Sequence, residues 1–199
     1  MKKKILLASI VALSLALLVA VGGSIAWLVA TSGPVENEFA PTNIGVTLSE
    51  IETTFDMVPA SPIDKDPLVT VSANSVKCYV FLKVDESANL DSYIAYNLDT
   101  NWKLIDGTSN VYYQIVDEST SATALKVLVG GSIDDTITGK TFSWGDNQVL
   151  TLPSVTKQMM SEAVAAVPTL TFNAAAVQFD NLTVTEALAQ VTWNPVVGS

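Results

Sequence analysis

The sequence contains no histidine and no arginine, and it has a single cysteine, Cys78. Without histidine the chain cannot form a Ser-His-Asp triad, a Cys-His pair or an HExxH zinc motif. General acid–base catalysis near neutral pH also loses its most common side chain. We therefore expect no catalytic residues, no metal site and no cofactor, and an enzyme is the least favoured class of function.

A lone cysteine excludes an intramolecular disulfide, so the fold must depend on its apolar core. Cys78 alternates with Val76, Val80, Leu82 and Val84, which predicts a strand with these side chains on one apolar face. We expect Cys78 to be a small buried hydrophobe. The alternative, a nucleophilic thiolate, is less favoured because no histidine is present to activate it.

Charge of positive sign is scarce. The chain has 20 acids against 10 lysines, a formal net charge of −10. Removal of residues 1–26 would take away three lysines and no acid, which would leave seven lysines against 20 acids, a net charge of −13. Such a surface repels phosphate backbones, so we expect no nucleic-acid partner. It keeps an exported protein soluble, or makes its assembly sensitive to pH and cations.

The N-terminus has the features of an export signal. Lysines at residues 2–4 precede an apolar, uncharged run at residues 5–30. Small Ser24 and Ala26, followed by bulky Trp27, suit a signal peptidase that cuts after Ala26. We therefore expect an N-terminal signal helix and a secreted or extracellular mature protein, which contacts the membrane only through this segment before cleavage.

This cleavage divides the chain into three regions. Residues 1–26 form the signal peptide, residues 27–43 an N-terminal arm, and residues 44–199 one folded domain. The alternative is an uncleaved anchor, because about 20 apolar residues are enough to span a bilayer. In both cases the remainder of the chain faces the outside.

From residue 44 onward the apolar residues mostly alternate with polar ones, and turn residues are frequent. Short β-rich runs of this kind predict an all-β chain folded as an antiparallel β-sandwich. We expect the run at residues 68–71 to form a hairpin with the Cys78 strand. The predicted strands are residues 44–48, 68–71, 76–84, 111–116, 124–129, 136–138, 141–144, 148–152 and 170–179.

One or two short helices interrupt this pattern. Ser154 is the predicted cap of a helix over residues 155–167, with an apolar stripe at Met159, Met160, Ala163 and Val164. A second, short helix running to Val191 is predicted from a capping box formed by Thr183 and Glu186.

Two acid pairs and a set of aromatic residues are the remaining candidate binding groups. Asp64 with Asp66, and Asp134 with Asp135, have the chemistry of calcium ligands, but no loop with calcium-ligand spacing surrounds them, which favours solvated loop acids. The aromatic side chains offer either sugar stacking or core and sheet-face packing, and packing is favoured. They are Tyr93, Tyr96, Trp102, Tyr112 and Tyr113.

Several stretches resemble a known family. They are GSIAWL at residues 23–28, VENEF at 35–39, KDPLVTVSANS at 65–75 and LTFNAAAVQ at 170–178. In these stretches the chain resembles TasA/camelysin-type exported proteins of Gram-positive bacteria. The resemblance implies a signal peptidase of the SipW type, a jelly-roll-like sandwich and a role in biofilm-matrix or surface fibres.

The resemblance also implies how such fibres would assemble. After cleavage, an N-terminal segment of one subunit would pair as a donated strand with the next subunit. The candidate donor residues are Trp27, Leu28, Val29, Val35, Asn37 and Phe39. One alternative is that this arm is a loose remnant of the signal, or pairs within its own sandwich. Another is a monomeric or membrane-anchored surface module that binds a sugar or a host protein.

Overall fold

The fold is built from fourteen strands and two α-helices in a computed structural model that describes residues 44–50, 52 and 54–193. Helix α1 is Lys157–Ala165, helix α2 is Val184–Leu188, and a 3₁₀ turn spans Leu90–Ser92. The strands are β1 Val46–Ser49, β2 Pro62–Asp64, β3 Leu68–Val71, β4 Cys78–Glu86, β5 Ile94–Ala95, β6 Asn97–Leu98, β7 Lys103–Leu104, β8 Val111–Val116, β9 Thr123–Lys126, β10 Leu128–Val129, β11 Gly131–Asp135, β12 Lys140–Trp144, β13 Gln148–Thr151 and β14 Leu170–Gln178.

The predicted all-β class is confirmed. Every strand pair in the described part of the chain is antiparallel, and both helices are short. The largest sheet has the order β14-β4-β8-β7, and two three-stranded sheets have the orders β1-β3-β9 and β2-β13-β5. Two smaller pairs, β10-β6 and β11-β12, complete the architecture.

The main core lies between two of these sheets. Val80 and Leu82 of β4 belong to one buried cluster with Val69 and Val71 of β3, and all four are at most 2% exposed. Because side chains alternate along a strand, the inward residues of β4 and β3 meet while their neighbours point away. Cys78 lies in the same cluster and is fully buried, which confirms its predicted place on the apolar face.

The opposite face of β4 is covered as well. Tyr79 and Phe81 pack in a second cluster with Ala187 of α2 and with Ile105. The chain after β14 therefore folds back over the outer face of the four-stranded sheet. β4 is buried on both sides, as its continuous run of valine, tyrosine, phenylalanine and leucine requires.

Several details of the predicted elements are wrong. β3 pairs with β1 and β9 and not with β4, so the predicted hairpin does not form. The run at residues 124–129 is split, because β9 pairs with β3 whereas β10 pairs with β6. Residues 136–138 belong to the turn between β11 and β12 and are not a strand.

The helices follow the prediction in part. The cap of α1 is Thr156 and not Ser154, because the Thr156 hydroxyl accepts the N–H of Met159. Ala163 is buried as predicted, but Val164 is 82% exposed and does not belong to the apolar stripe. The capping box of Thr183 and Glu186 at α2 is confirmed, and this helix ends at Leu188. No helix within the described residues is long and apolar enough to cross a membrane.

Candidate functional site

The residues predicted to be cut or donated lie outside the described part of the chain. This applies to the cleavage residues Ser24, Ala26 and Trp27 and to the donor residues Leu28, Val29, Val35, Asn37 and Phe39. Their roles stay predictions. The structure does describe the folded domain with which a donated strand would have to pair.

The clearest candidate for such pairing is the outer edge of β14. This strand ends the four-stranded sheet, and on its far side no other strand in the described residues pairs with it. β14 is nine residues long and contains no charge, no proline and no glycine. Natural edge strands are usually short or protected by charge, proline or a bulge. β14 has none of these protections.

The backbone hydrogen bonds show which groups of β14 face this open edge. In an antiparallel ladder, alternate residues direct their N–H and C=O towards the partner. Phe179 donates its N–H to the Lys77 carbonyl (3.0 Å), and Ser87 donates to the Thr169 carbonyl (2.9 Å). In this register the odd-numbered residues of β14 therefore bond to β4. The even-numbered residues, including Ala174 and Ala176, direct their backbone groups outward.

The first described strand lies beside this edge. β1 contacts β14, but no ladder of hydrogen bonds joins the two. The inward side chains of β1 and its approach, Ile44, Val46 and Leu48, pack against the main core beside Ala174 and Ala176. The described chain therefore begins with an element that contacts β14.

A buried lysine holds this corner together. Lys65 is 7% exposed and forms an ion pair with Glu50, just after β1. Its ammonium lies 5.2 Å from the centre of the Phe55 ring and 5.7 Å from that of Phe172 in β14. A carboxylate and two aromatic faces thus compensate the buried charge.

Members of both acid pairs accept hydrogen bonds from other side chains of the domain. Asp64 accepts a hydrogen bond from Gln148 (2.7 Å), and Asp134 accepts one from Thr141 (2.7 Å). Asp135 accepts the Thr138 hydroxyl and the Ile137 N–H, and these bonds lower the pKa of its carboxyl. No group of three or more metal-ligating side chains occurs among the described residues.

Cys78 has no feature of a reactive thiol. It is fully buried in the main core, and this burial raises the pKa of its thiol. A nucleophilic cysteine needs a lowered pKa and access to solvent. The geometry therefore favours the packing role.

The five aromatic residues take different places. Tyr93 and Trp102 are buried, whereas Tyr96, Tyr112 and Tyr113 are half-buried. The Trp102 indole N–H donates to the Lys126 carbonyl (2.8 Å), and the Tyr93 hydroxyl donates to the Met159 carbonyl (3.0 Å). These bonds satisfy buried polar groups, so Tyr93 and Trp102 have structural roles.

Tyr96 borders a cleft of about 350 Å³ that the sequence did not reveal. The cleft lies between the β11–β12 hairpin and the segment from the 3₁₀ turn to β6. Five apolar side chains and four polar ones line it: Ile94, Ala95, Ile133, Trp144 and Leu152, with Asp91, Tyr96, Asn97 and Ser132. They come from three separate stretches of the chain, so no local motif marks the site.

The absence of a side chain at Gly131 allows close packing beside this cleft. A Cβ at Gly131 would collide with the Asn97 amide and with the Trp144 ring. Because Gly131 has no side chain, these two groups can approach the backbone of β11. The Asn97 amide then donates to the Gly130 carbonyl (3.3 Å).

Comparisons with protein-family models, with curated proteins and with solved structures find no match to this chain.

Proposed function

We propose that this chain is an exported structural protein, a subunit of extracellular biofilm-matrix or surface fibres of the TasA/camelysin type. The N-terminal sequence supports export, with lysines at residues 2–4, an apolar run and small residues before Trp27. In this proposal a SipW-type peptidase cuts after Ala26 and releases the protein to the cell surface or matrix.

The observation that carries the proposal is the outer edge of β14, with which no other described strand pairs. A row of unpaired N–H and C=O groups is a template for an added strand. β14 offers this row over nine residues without a charge or a proline to oppose pairing. In the proposed fibre, residues 27–39 of one subunit add to this edge on the next subunit.

The position of β1 supports the same assembly. β1, which follows the arm in sequence, contacts β14, so in the proposed fibre the arm starts close to an edge of the type that it occupies on a neighbour. In this proposal Trp27, Leu28 and Val29 supply large apolar side chains that pack on the acceptor subunit, and Gly33 with Pro34 supplies a bend.

We further propose a jelly-roll-like sandwich preceded by a signal helix. Consecutive strands change sheets in the way that such folds require: β3 and β4 lie in different sheets, and so do β8 and β9. The shared core between the β3 and β4 sheets supports the sandwich.

A non-catalytic role without a cofactor is part of the proposal. The chain has no histidine, and its one thiol is buried with a raised pKa. Self-association and the signal peptidase are the proposed partners. An acidic surface without arginine opposes nucleic-acid binding.

The test compares two forms of the protein by light scattering and electron microscopy. Protein beginning at Trp27 should form fibres, whereas protein beginning at Asn43 should stay folded and monomeric. Added residues before Trp27 should also block growth, because the donor end must be free. The proposal fails if both forms stay monomeric across pH and salt, or if both form the same fibres.

A further inference from the structure

The cleft beside the β11–β12 hairpin carries an inference that is separate from strand addition. Its size falls within the range of small-molecule sites, which are usually several hundred cubic ångströms with a few placed polar groups. The lining combines apolar side chains, among them Ile94, Leu152 and Trp144, with polar ones. We propose that this cleft binds a neutral sugar unit of an extracellular polysaccharide.

Two polar side chains of the cleft can accept hydrogen bonds from a ligand. Within the described chain, the Asp91 carboxylate makes no hydrogen bond, and its side chain is exposed. The Asn97 amide uses its N–H group for the Gly130 carbonyl, which leaves its oxygen as an acceptor. A sugar presents several hydroxyl donors at once, and these two side chains offer matching acceptors.

The Trp144 side chain, which lines the cleft, gives a second indication of a ligand. Trp144 is 7% exposed, and its indole N–H is buried without a hydrogen-bond partner in the described residues. Native structures rarely leave such a donor unpaired. An oxygen of a molecule bound in the cleft is a candidate partner for this N–H.

The electrostatics of the cleft decide the class of ligand. Asp91 stands at the cleft in a protein of net charge −10, so an anion is repelled. Burial, the hydrogen bond to Glu86 and the charge of Glu86 raise the pKa of Tyr96, so its phenol stays neutral. A purely apolar ligand would displace water from Asp91 and Asn97 without replacing its hydrogen bonds. A neutral sugar satisfies both conditions, with hydroxyls for these acceptors and a C–H face for the apolar side chains.

The experiment titrates the full chain, held in a polyoxyethylene detergent without sugar headgroups, with cellobiose and with N-acetylglucosamine. Galacturonate and choline serve as anionic and cationic probes. Saturation-transfer NMR and calorimetry should show saturable binding of at least one neutral sugar and none of galacturonate. No binding of either sugar, or tighter binding of choline or galacturonate, overturns the proposal.

Two variants locate the site. Ile133→Trp places a larger side chain in the cleft lining and should weaken sugar binding by about tenfold or more, because the ligand loses its space. Phe142→Trp is the matched control, since Phe142 is the half-buried cross-strand partner of Ile133 but does not line the cleft. It should keep the original affinity. Asp91→Ala, a smaller change, should also weaken binding.

Equal affinity in Ile133→Trp and Phe142→Trp, with both variants folded by circular dichroism, contradicts the assignment. Fibre growth is scored on the same variants in protein beginning at Trp27. The cleft is distinct from the β14 edge, so Ile133→Trp should still polymerise. A failure of sugar binding therefore leaves the fibre proposal standing, and a failure of fibre growth leaves the cleft standing.

Discussion

Lys65 is the least exposed charged residue in the described chain, and its side chain contacts three parts of the fold. It pairs with Glu50 and lies over the rings of Phe55 and Phe172. Removal of one partner of a buried pair leaves the other charge uncompensated, whereas removal of both is often tolerated. The pair therefore stabilises the corner of β1 and β14 mainly by keeping Glu50 neutralised.

We predict that Lys65→Met destabilises the fold by about 3 kcal/mol. The double variant Lys65→Met with Glu50→Gln should recover most of this loss, because no unpaired charge remains. Urea unfolding of the two single variants and the double variant measures the coupling. Additive losses would show that the pair contributes nothing beyond its separate side chains.

Substitutions of Cys78 test the packing of the main core. Cys78→Ser places a hydroxyl in an apolar site without a partner, so we expect a loss of about 1–3 kcal/mol. Cys78→Ala should destabilise the fold less than Cys78→Ser, because alanine leaves only a small cavity and no unsatisfied hydroxyl. In the native protein a polar thiol reagent should react slowly, and rapid labelling would contradict burial.

At the scale of single residues the sequence was informative wherever alternation was strict. Cys78 could be placed because its neighbours at every second position are apolar. Val164 could not, because it follows the helical spacing yet faces solvent. Lys65 gave no signal, since its partners Glu50, Phe55 and Phe172 are distant in sequence and meet only in the fold.

The β11–β12 hairpin depends on its turn. Asp135 accepts the Thr138 hydroxyl and the Ile137 N–H, and Gly139 follows in the left-handed region with φ of 69°. These bonds hold the pKa of the Asp135 carboxyl below its usual value of 3.8. A lowered carboxyl pKa stabilises the fold above the unfolded pKa, and this contribution is lost as pH falls through the folded value.

Asp135→Asn should therefore lower the melting temperature at pH 7, and this effect should shrink as the pH falls through the folded-state pKa of Asp135, because the carboxyl is then protonated in both states. Asp106→Asn is the control, because Asp106 is an exposed acid in another turn whose carboxylate makes no hydrogen bond within the described chain. An effect of Asp135→Asn that stays constant from pH 7 into the acid range would contradict the role of the charge.

At the scale of elements the sequence predicted most strands but not their partners. Period-two alternation locates β4, β8 and β14, because each has to place apolar residues on the core. It carries no information on which strand lies beside which. β3 was paired wrongly with β4 for this reason, since a short turn favours a hairpin while the second sheet requires β3 to pair with β1 and β9.

The net charge acts on the whole molecule. The mature form would carry −13, so subunits repel one another near neutral pH. Protonation of carboxylates lowers this charge as the pH approaches the ordinary carboxyl pKa of about 4, before the lowered carboxyl pKa values of Asp135, Asp146 and Glu186 are reached. We predict faster fibre growth at about pH 4 than at pH 8, measured by light scattering. Equal rates at both values would exclude repulsion as the limiting factor.

The central claim is that the outer edge of β14 accepts a strand from another subunit. Ala176 directs its N–H to this edge, so Ala176→Pro removes an outward donor and leaves the β4 ladder intact. Ala124 in β9 directs its N–H outward from the edge of the other sheet, so Ala124→Pro is the matched control. Ala175→Pro, which breaks the β4 ladder, should unfold more easily than either.

The deciding measurement is electron microscopy of protein that begins at Trp27 and carries either proline, after circular dichroism has confirmed that both variants are folded. Strand addition at β14 predicts that Ala176→Pro stays monomeric and that Ala124→Pro forms fibres like the original protein. Fibres of unchanged yield and length from folded Ala176→Pro would contradict the account.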